Sequence, residues 1–297
     1  MTEFSIDLLI GTVGRTREVI RLFESLASQS QGNFRAIVLD QNDDARLAPI
    51  VERYRTAFSI EHVRLPKGGR SRAMNRGLEL VDADFVGFPD DDCWYRAALL
   101  QDVTNFFHAH PDVDGVCGRT LDERGRPTQL RWDSRAGSVT RRNLFRRSIA
   151  CTTFYRRHVV DVVGRFDESF GIRITASGEI VGAGEESDYL LRAMAAGLRQ
   201  AYDPDIVVHH DAYRPHFRDH AIMARSYSYG IDHSRLLRHH SYPTWFAYWR
   251  AVQLLAGSSL MLLRGQPGTA RFYWAMAMGR LRGAVLPASV SGGDGIE

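Results

Sequence analysis

The sequence predicts an α/β protein with a mostly parallel central sheet flanked by helices, followed by a C-terminal helical extension. Three observations predict it. Through residues 6–109, short and nearly continuous apolar runs alternate with segments of helical periodicity, as in parallel sheets covered on both faces. Several runs end in polar clusters, where open α/β sheets bind their ligands. Composition then shifts: residues 1–211 carry 28 Lys+Arg against 31 Asp+Glu, whereas residues 212–282 carry 10 Arg against two Asp. The chain therefore divides into an α/β domain over 1–211 and a basic, aromatic-rich helical region over 212–297.

Taken in order, Ile6–Ile10 reads as a strand, turned at Gly11 and Gly14, and Val19, Leu22, Phe23 and Leu26 recur at helical spacing. The pattern repeats with a strand over Phe34–Leu39 ending at Asp40, a helix over Asp44–Ala57, a strand over Ile60–Leu65, a helix over Arg70–Leu80 and a strand over Phe85–Phe88. Past Asp92 it loosens. A helix is expected over Arg96–Ala109, and strand-like pieces over Gly115–Arg131 are broken by Gly125 and Pro127. Gly171–Gly184 reads as a glycine-rich mobile loop, Glu185–Ala196 as a helix, and Ile206–Val208 as a short strand ending in His209 and His210. Arg-, His- and Tyr-rich helical segments follow.

Composition excludes several classes. With 44% hydrophobic and 25% charged residues, the chain is not of the disordered type. Cys93, Cys117 and Cys151 are odd in number and form no CxxC, which argues against a disulfide framework or a zinc site and for a reducing cytoplasm. MTEFSIDLLIGT lacks the basic start of a secretory signal, so a cytoplasmic location is expected. The longest weakly polar run, Ala251–Leu263, is 13 residues long, against about 20 for a bilayer span. TWFAYWRAVQLLAGSSLMLLRG suits either an interfacial helix on the inner face of an anionic membrane or a helical subdomain that buries its aromatics. No aromatic-basic motif for nucleic acid is present.

The densest chemistry lies in FVGFPDDDCWY, where Asp90, Asp91 and Asp92 crowd a strand end. Carboxylates without soft ligands suit Mg²⁺ or Mn²⁺ shared with phosphates; an acidic turn with Asp92 as helix cap is the alternative. Gly11–Arg15 matches neither a dinucleotide fingerprint nor a P-loop, yet its amides and Arg15 suit a phosphate or base. Asp40 suits a ribose or base edge, or a helix cap.

These residues fall in an order that resembles the family-2 inverting glycosyltransferases of the GT-A fold. IDLLIGTVGRTREVIRLFESLASQS is similar to the family's opening strand and helix, FRAIVLDQNDD to its strand ending in the nucleotide-binding Asp, and GGRSRAMNRGLELVDADFVGFPDDDCWY to its glycine-led helix, strand and D-x-D segment. SIACTTFYRRHVVDVVGRFDESFG resembles the acceptor-side segment, GEESDYLLRAMAAG the segment holding the base, and YDPDIVVHH the late strand ending in His. The departures are Gly14 in the first loop, Met74 where an Arg commonly precedes Asn75, and Glu186 where Asp is usual.

The resemblance implies a GT-A domain over 1–211 that binds a nucleotide-sugar. Thr12, Arg15 and Asp40 would contact the nucleoside; Gly69, Arg72 and Asn75 would line the diphosphate side, and Asp91 would orient the first loop or touch the donor sugar. Asp90, Asp92 and His210 would hold Mn²⁺ or Mg²⁺, Trp94 would flank the sugar, and Glu186 would be the catalytic base, with Glu185 and Asp188 as rivals. The implied partners are a nucleotide-diphosphate sugar and a glycan or lipid-linked acceptor, with peripheral membrane contact through the C-terminal region and no nucleic acid. A metal-dependent sugar nucleotidyltransferase and a catalytically silent membrane-associated binding module are the alternatives. The nucleotidyltransferase predicts a glycine-rich, basic first loop, of which GTVGRTR is a poor version.

Overall fold

The computed structural model describes residues 4–174, 180–212 and 220–286. Its elements are β1 (Ile6–Thr12), α1 (Arg17–Ala27), β2 (Phe34–Asp40), α2 (Ala48–Tyr54), β3 (Ser59–Arg64), α3 (Arg70–Leu78), β4 (Phe85–Gly87), β5 (Cys93–Tyr95), α4 (Leu99–Ala109), β6 (Gly115–Leu121), β7 (Gly137–Ser138), β8 (Thr153–Arg156), α5 (Arg157–Val163), β9 (Arg173–Ile174), β10 (Ile180–Val181), α6 (Glu185–Ala195), β11 (Gln200–His210), α7 (His220–His239), α8 (Thr244–Leu263) and α9 (Pro267–Val285). Two compact units emerge. The first comprises Met1–Gly68, Arg72–Phe166 and Tyr189–Tyr213, and the second Gly69–Ser71, Asp167–Asp188 and Arg214–Glu297. Residues 69–71 and 167–188 thus group with the C-terminal residues, whereas the sequence places the division at 211/212.

The first unit holds a nine-stranded sheet in the order β3-β2-β1-β4-β8-β6-β11-β5, with β7 paired onto β11. β1 runs parallel to β2 and β4, β2 to β3, and β6 to β11. β8 enters antiparallel to both β4 and β6, which makes the sheet mixed. The apolar runs of β1 and β2 are buried along nearly their whole length, as strands covered on both faces require. Val19, Leu22, Phe23 and Leu26 form the buried stripe of α1. Asp7 places a charge inside this core. Asp7 is 2% exposed, and its carboxylate accepts two hydrogen bonds from Arg35, each 2.8 Å, and two more from the amides of Asp82 and Ala83. Cys93, Cys117 and Cys151 are buried and unbridged.

Boundaries differ from expectation where polar residues intervene. α2 begins at Ala48 rather than Asp44, because Asp44 instead accepts from the backbone and guanidinium of Arg46. β11 is 11 residues long rather than three, and its register on β6 shifts between Tyr202 and Val207, around Pro204.

In the second unit, α7 and α9 cross at small residues. A Cβ on Gly230 would stand 2.2 Å from the Met276 carbonyl oxygen, and one on Gly279 2.0 Å from that of Tyr227, so only glycine allows the approach. Ser234 Oγ donates to the Arg280 carbonyl in the same interface. α8 packs on α9, with Ser258 Oγ donating to the Ala270 carbonyl. β9 and β10 form a two-stranded antiparallel ribbon; residues 175–179 of the expected glycine-rich loop lie outside the described residues.

Candidate active site

The aspartate triplet follows β4 in a turn closed by Cys93, whose amide donates to the Asp90 carbonyl at 3.2 Å. β5 then pairs antiparallel with β11, setting Cys93 opposite His210. This pairing brings residues remote in sequence together: His210 Nε2 lies 3.2 Å from Asp92 Oδ1. Asp90, Asp92 and His210 each offer one donor atom, all within 4.8 Å of one another. Two carboxylate oxygens and one imidazole nitrogen fit a divalent cation such as Mn²⁺ or Mg²⁺, with coordination positions left for phosphate oxygens. His210 Nδ1 lies 2.8 Å from the Asp211 carbonyl, which can only accept, so that nitrogen carries the proton and Nε2 is presented to the cluster.

Arg15, from the loop after β1, spans the triplet. Its guanidinium pairs with Asp91 and, at 2.8 Å, with Asp92. Asp91 is buried, and that burial pushes its carboxyl up to about 6 in spite of Arg15 and the Thr12 hydroxyl. For Asp92 burial is outweighed by the His210 hydrogen bond and the Arg15 charge, and its carboxyl falls to about 2. Burial lowers His210, but the bond to Asp92 and its charge leave it above the usual imidazole range. Trp94 meets both Arg21 and His209. The Arg21 guanidinium lies 3.9 Å from its ring centroid, and His209 stacks at 5.5 Å.

Thr12 and Asp40 are register partners at the ends of β1 and β2. Asp40 is fully buried and accepts from the amide and side chain of Asn42, at 2.9 and 2.7 Å, while its other oxygen lies 2.9 Å from His62 Nε2. Asn42 Oδ1 in turn accepts the Gly14 amide at 2.7 Å, tying the two loops together. Gly14 has φ of 77°, which explains glycine there. Met74 is buried with its Cε against Gly11 of β1. Asn75 is buried as well; its side-chain amide donates to the Phe166 carbonyl at 3.1 Å and accepts the Phe166 amide at 2.7 Å. Arg72 is exposed on α3.

The second unit carries a carboxylate cluster of its own. Gly69 has φ of 87°, and a Cβ there would stand 2.7 Å from the Ile172 carbonyl oxygen, which also accepts the Arg70 amide at 2.7 Å. Arg70 Nε reaches Glu185 Oε1 at 3.1 Å. Glu186, partly buried beside it, is pushed well above the usual carboxyl range by burial and by the Glu185 charge. Asp188 is fully buried and takes the His240 ring at 2.8 Å. α7 holds the segment before α6: the Gly182 amide donates to Ser228 Oγ and the Ala183 amide to Asp232 Oδ2, which also draws Arg173.

Sequence reasoning missed His62, Asn42, Gln129 and Arg70. Gln129 adopts a φ of 62°, unusual outside glycine, and its amide nitrogen lies 3.0 Å from the His210 ring. Asn42 and Arg70 flank residues that were singled out, so proximity was their signal; His62 and Gln129 reach the site only through long-range pairing and left none.

The sequence pattern described as Glycosyl transferase family 2 matches residues 8–166. The amylovoran biosynthesis glycosyltransferase AmsB of Erwinia amylovora is 30% identical over 112 residues, 35% of this chain and 36% of that protein. The match thus spans about a third of the relative. Among solved structures, S. aureus TarS 1–349 in complex with UDP-GlcNAc superposes with a TM-score of 0.57 at 17% identity, covering 94% of this chain and 91% of that one. The mannosyltransferase PcManGT from Pyrobaculum calidifontis, in complex with GDP-Man and Mn²⁺, gives 0.63 at 14% identity, covering 94% and 87%. At such identities these likenesses concern the fold.

Proposed function

The chain belongs to glycosyl transferase family 2, and from that premise we propose that it is an inverting, metal-dependent transferase. It moves a sugar from a nucleotide-diphosphate donor to a hydroxyl of a glycan or lipid-linked acceptor, in the synthesis of a cell-surface polysaccharide or glycoconjugate. The observation that carries this reading is the donor triad of Asp90, Asp92 and His210 at the carboxyl ends of β4 and β11 in a mixed sheet. Two structural neighbours, one in complex with UDP-GlcNAc and the other with GDP-Man and Mn²⁺, support the donor class and the ion.

Asp90, Asp92 and His210 would hold the divalent cation, which when bound neutralises the diphosphate and makes it a competent leaving group. Thr12 and Arg15 face the nucleoside side, and Asp40, fixed by Asn42 and His62, shapes that wall. Gly69 and Arg72 serve the diphosphate; Asn75 serves it by holding Phe166 in place. Asp91, whose carboxyl sits near 6, steadies Arg15 and reaches toward the donor sugar. Glu186 takes the proton of the acceptor hydroxyl during a single inverting displacement. Its rivals are already committed, Glu185 to Arg70 and Asp188 to His240.

The test is a panel of nucleotide sugars with Mn²⁺. Wild type releases nucleoside diphosphate; Asp92→Ala loses both release and metal-dependent nucleotide binding, and Glu186→Gln keeps binding but loses about 10²–10⁴ in rate. Release of pyrophosphate in a parallel assay, from a nucleoside triphosphate and a sugar 1-phosphate, would instead favour a nucleotidyltransferase. Absence of metal-dependent nucleotide binding in wild type would favour a silent binding module.

A further inference from the structure

α8 is apolar on the side that faces water. Its inward positions are small, with Ala247, Ala251 and Ser258 buried. Outward, Trp245, Trp249, Val252, Leu260 and Leu263 recur at steps of three, four or eight residues and so form one stripe. Trp245 is 66% exposed, Trp249 51% and Leu263 87%. Over the 18 residue steps from Trp245 to Leu263 the stripe is about 27 Å long. A surface helix normally turns charge outward, and the one charge in α8, Arg250, is half-buried, its carbonyl taken by Arg280. Trp274 and Val285 are exposed on α9 beside Arg271 and Arg282, and Arg264 is exposed at the turn between the helices.

We propose that the outward face of α8, with the arginines of the α8–α9 turn and of α9, docks on an anionic phospholipid surface. Charge complementarity selects this occupant. From Thr244 to Val285 the chain has five Arg and no Asp or Glu, so the face is both apolar and purely cationic. Indole rings prefer the headgroup boundary, and each guanidinium near an anionic surface contributes about 1 kcal/mol. A two-fold contact with a second copy would set this surface against itself, arginine facing arginine with no carboxylate in the segment to meet them. Among the described residues no helix is long and apolar enough to cross a membrane, which makes the contact a surface one. Docking is independent of sugar transfer, since it needs neither donor nor metal.

The test is sedimentation of the full chain with vesicles of phosphatidylcholine alone or mixed with phosphatidylglycerol. The protein binds the mixed vesicles, with tryptophan emission shifted to the blue, and binding weakens as salt is raised. Trp245→Ala with Trp249→Ala lowers partitioning about tenfold or more, and Val252→Asp does the same by placing a charge in the stripe. Arg264→Ala and Arg271→Ala each cost roughly fivefold on mixed vesicles and nothing on neutral ones. Because these positions are exposed, the variants keep their circular dichroism and metal-dependent nucleotide binding. Wild type that stays in solution would overturn the proposal. So would variants that bind like wild type, or a dimer in sedimentation velocity that Val252→Asp dissolves while wild type ignores vesicles.

Discussion

At the scale of single residues, the pair Glu185–Glu186 makes the sharpest claim. Arg70 sits 3.1 Å from Glu185 and stabilises its charge, which with burial raises the carboxyl of Glu186 above the ordinary range. A base must be deprotonated to act, so kcat/KM rises with pH through the raised value rather than near the usual 4.5. Removing the neighbouring charge with Glu185→Gln moves that rising limb toward lower pH. A limb that stays put in Glu185→Gln would detach Glu186 from the role of base. This electrostatic coupling was invisible in the sequence, where Arg70 is one of many arginines and Glu185 only a rival to its neighbour. The carboxylates themselves were legible, because Asp40 and Asp90–Asp92 stand where apolar runs stop. Their partners were not: His62 gains meaning only through the pairing of β3 with β2, and Gln129 only through a contact with His210, remote in sequence.

Among elements, the start of α3 shows how a glycine is specified by its surroundings. Gly69 and Gly14 both have positive φ, but only at Gly69 would a Cβ meet backbone, the Ile172 oxygen at 2.7 Å; around Gly14 there is nothing within 4 Å. Gly14→Ala should therefore cost about 1 kcal/mol, from backbone strain alone, and Gly69→Ala about 2–3 kcal/mol, since strain and collision add. Urea denaturation of the two variants reads the difference directly, and equal losses would sink the distinction. The early strands were legible because buried parallel strands are continuous apolar runs. β11 was not, since Asp203, Pro204 and Asp205 interrupt its pattern where the register shifts. The antiparallel entry of β8 between β4 and β6 leaves no local trace at all, being a matter of which strands meet.

For the whole molecule, linkage offers a check that needs no knowledge of the acceptor. A ligand bound only by the folded state stabilises it by about 2.7 kcal/mol at a hundredfold excess over Kd. UDP or GDP with Mn²⁺ should raise the melting temperature by about 5 °C or more, and Asp92→Ala should not respond. The charge division along the chain was legible as composition, and the arginine-rich C-terminal region proves to expose tryptophans that could as well have been core. Arg15 carries one last consequence. Because its guanidinium already faces Asp91 and Asp92, the triplet finds a counter-charge within the chain, and the fold does not have to wait for an ion. With the metal-dependent activity proposed above, synthesis and activation would then be separate events: the protein would be completed in a cell starved of the cation and charged afterwards. On the proposed reading, a chelator should silence the enzyme and lower its melting temperature only by the linkage increment of the bound ion, leaving it folded, and returning the metal should restore the rate with no refolding step.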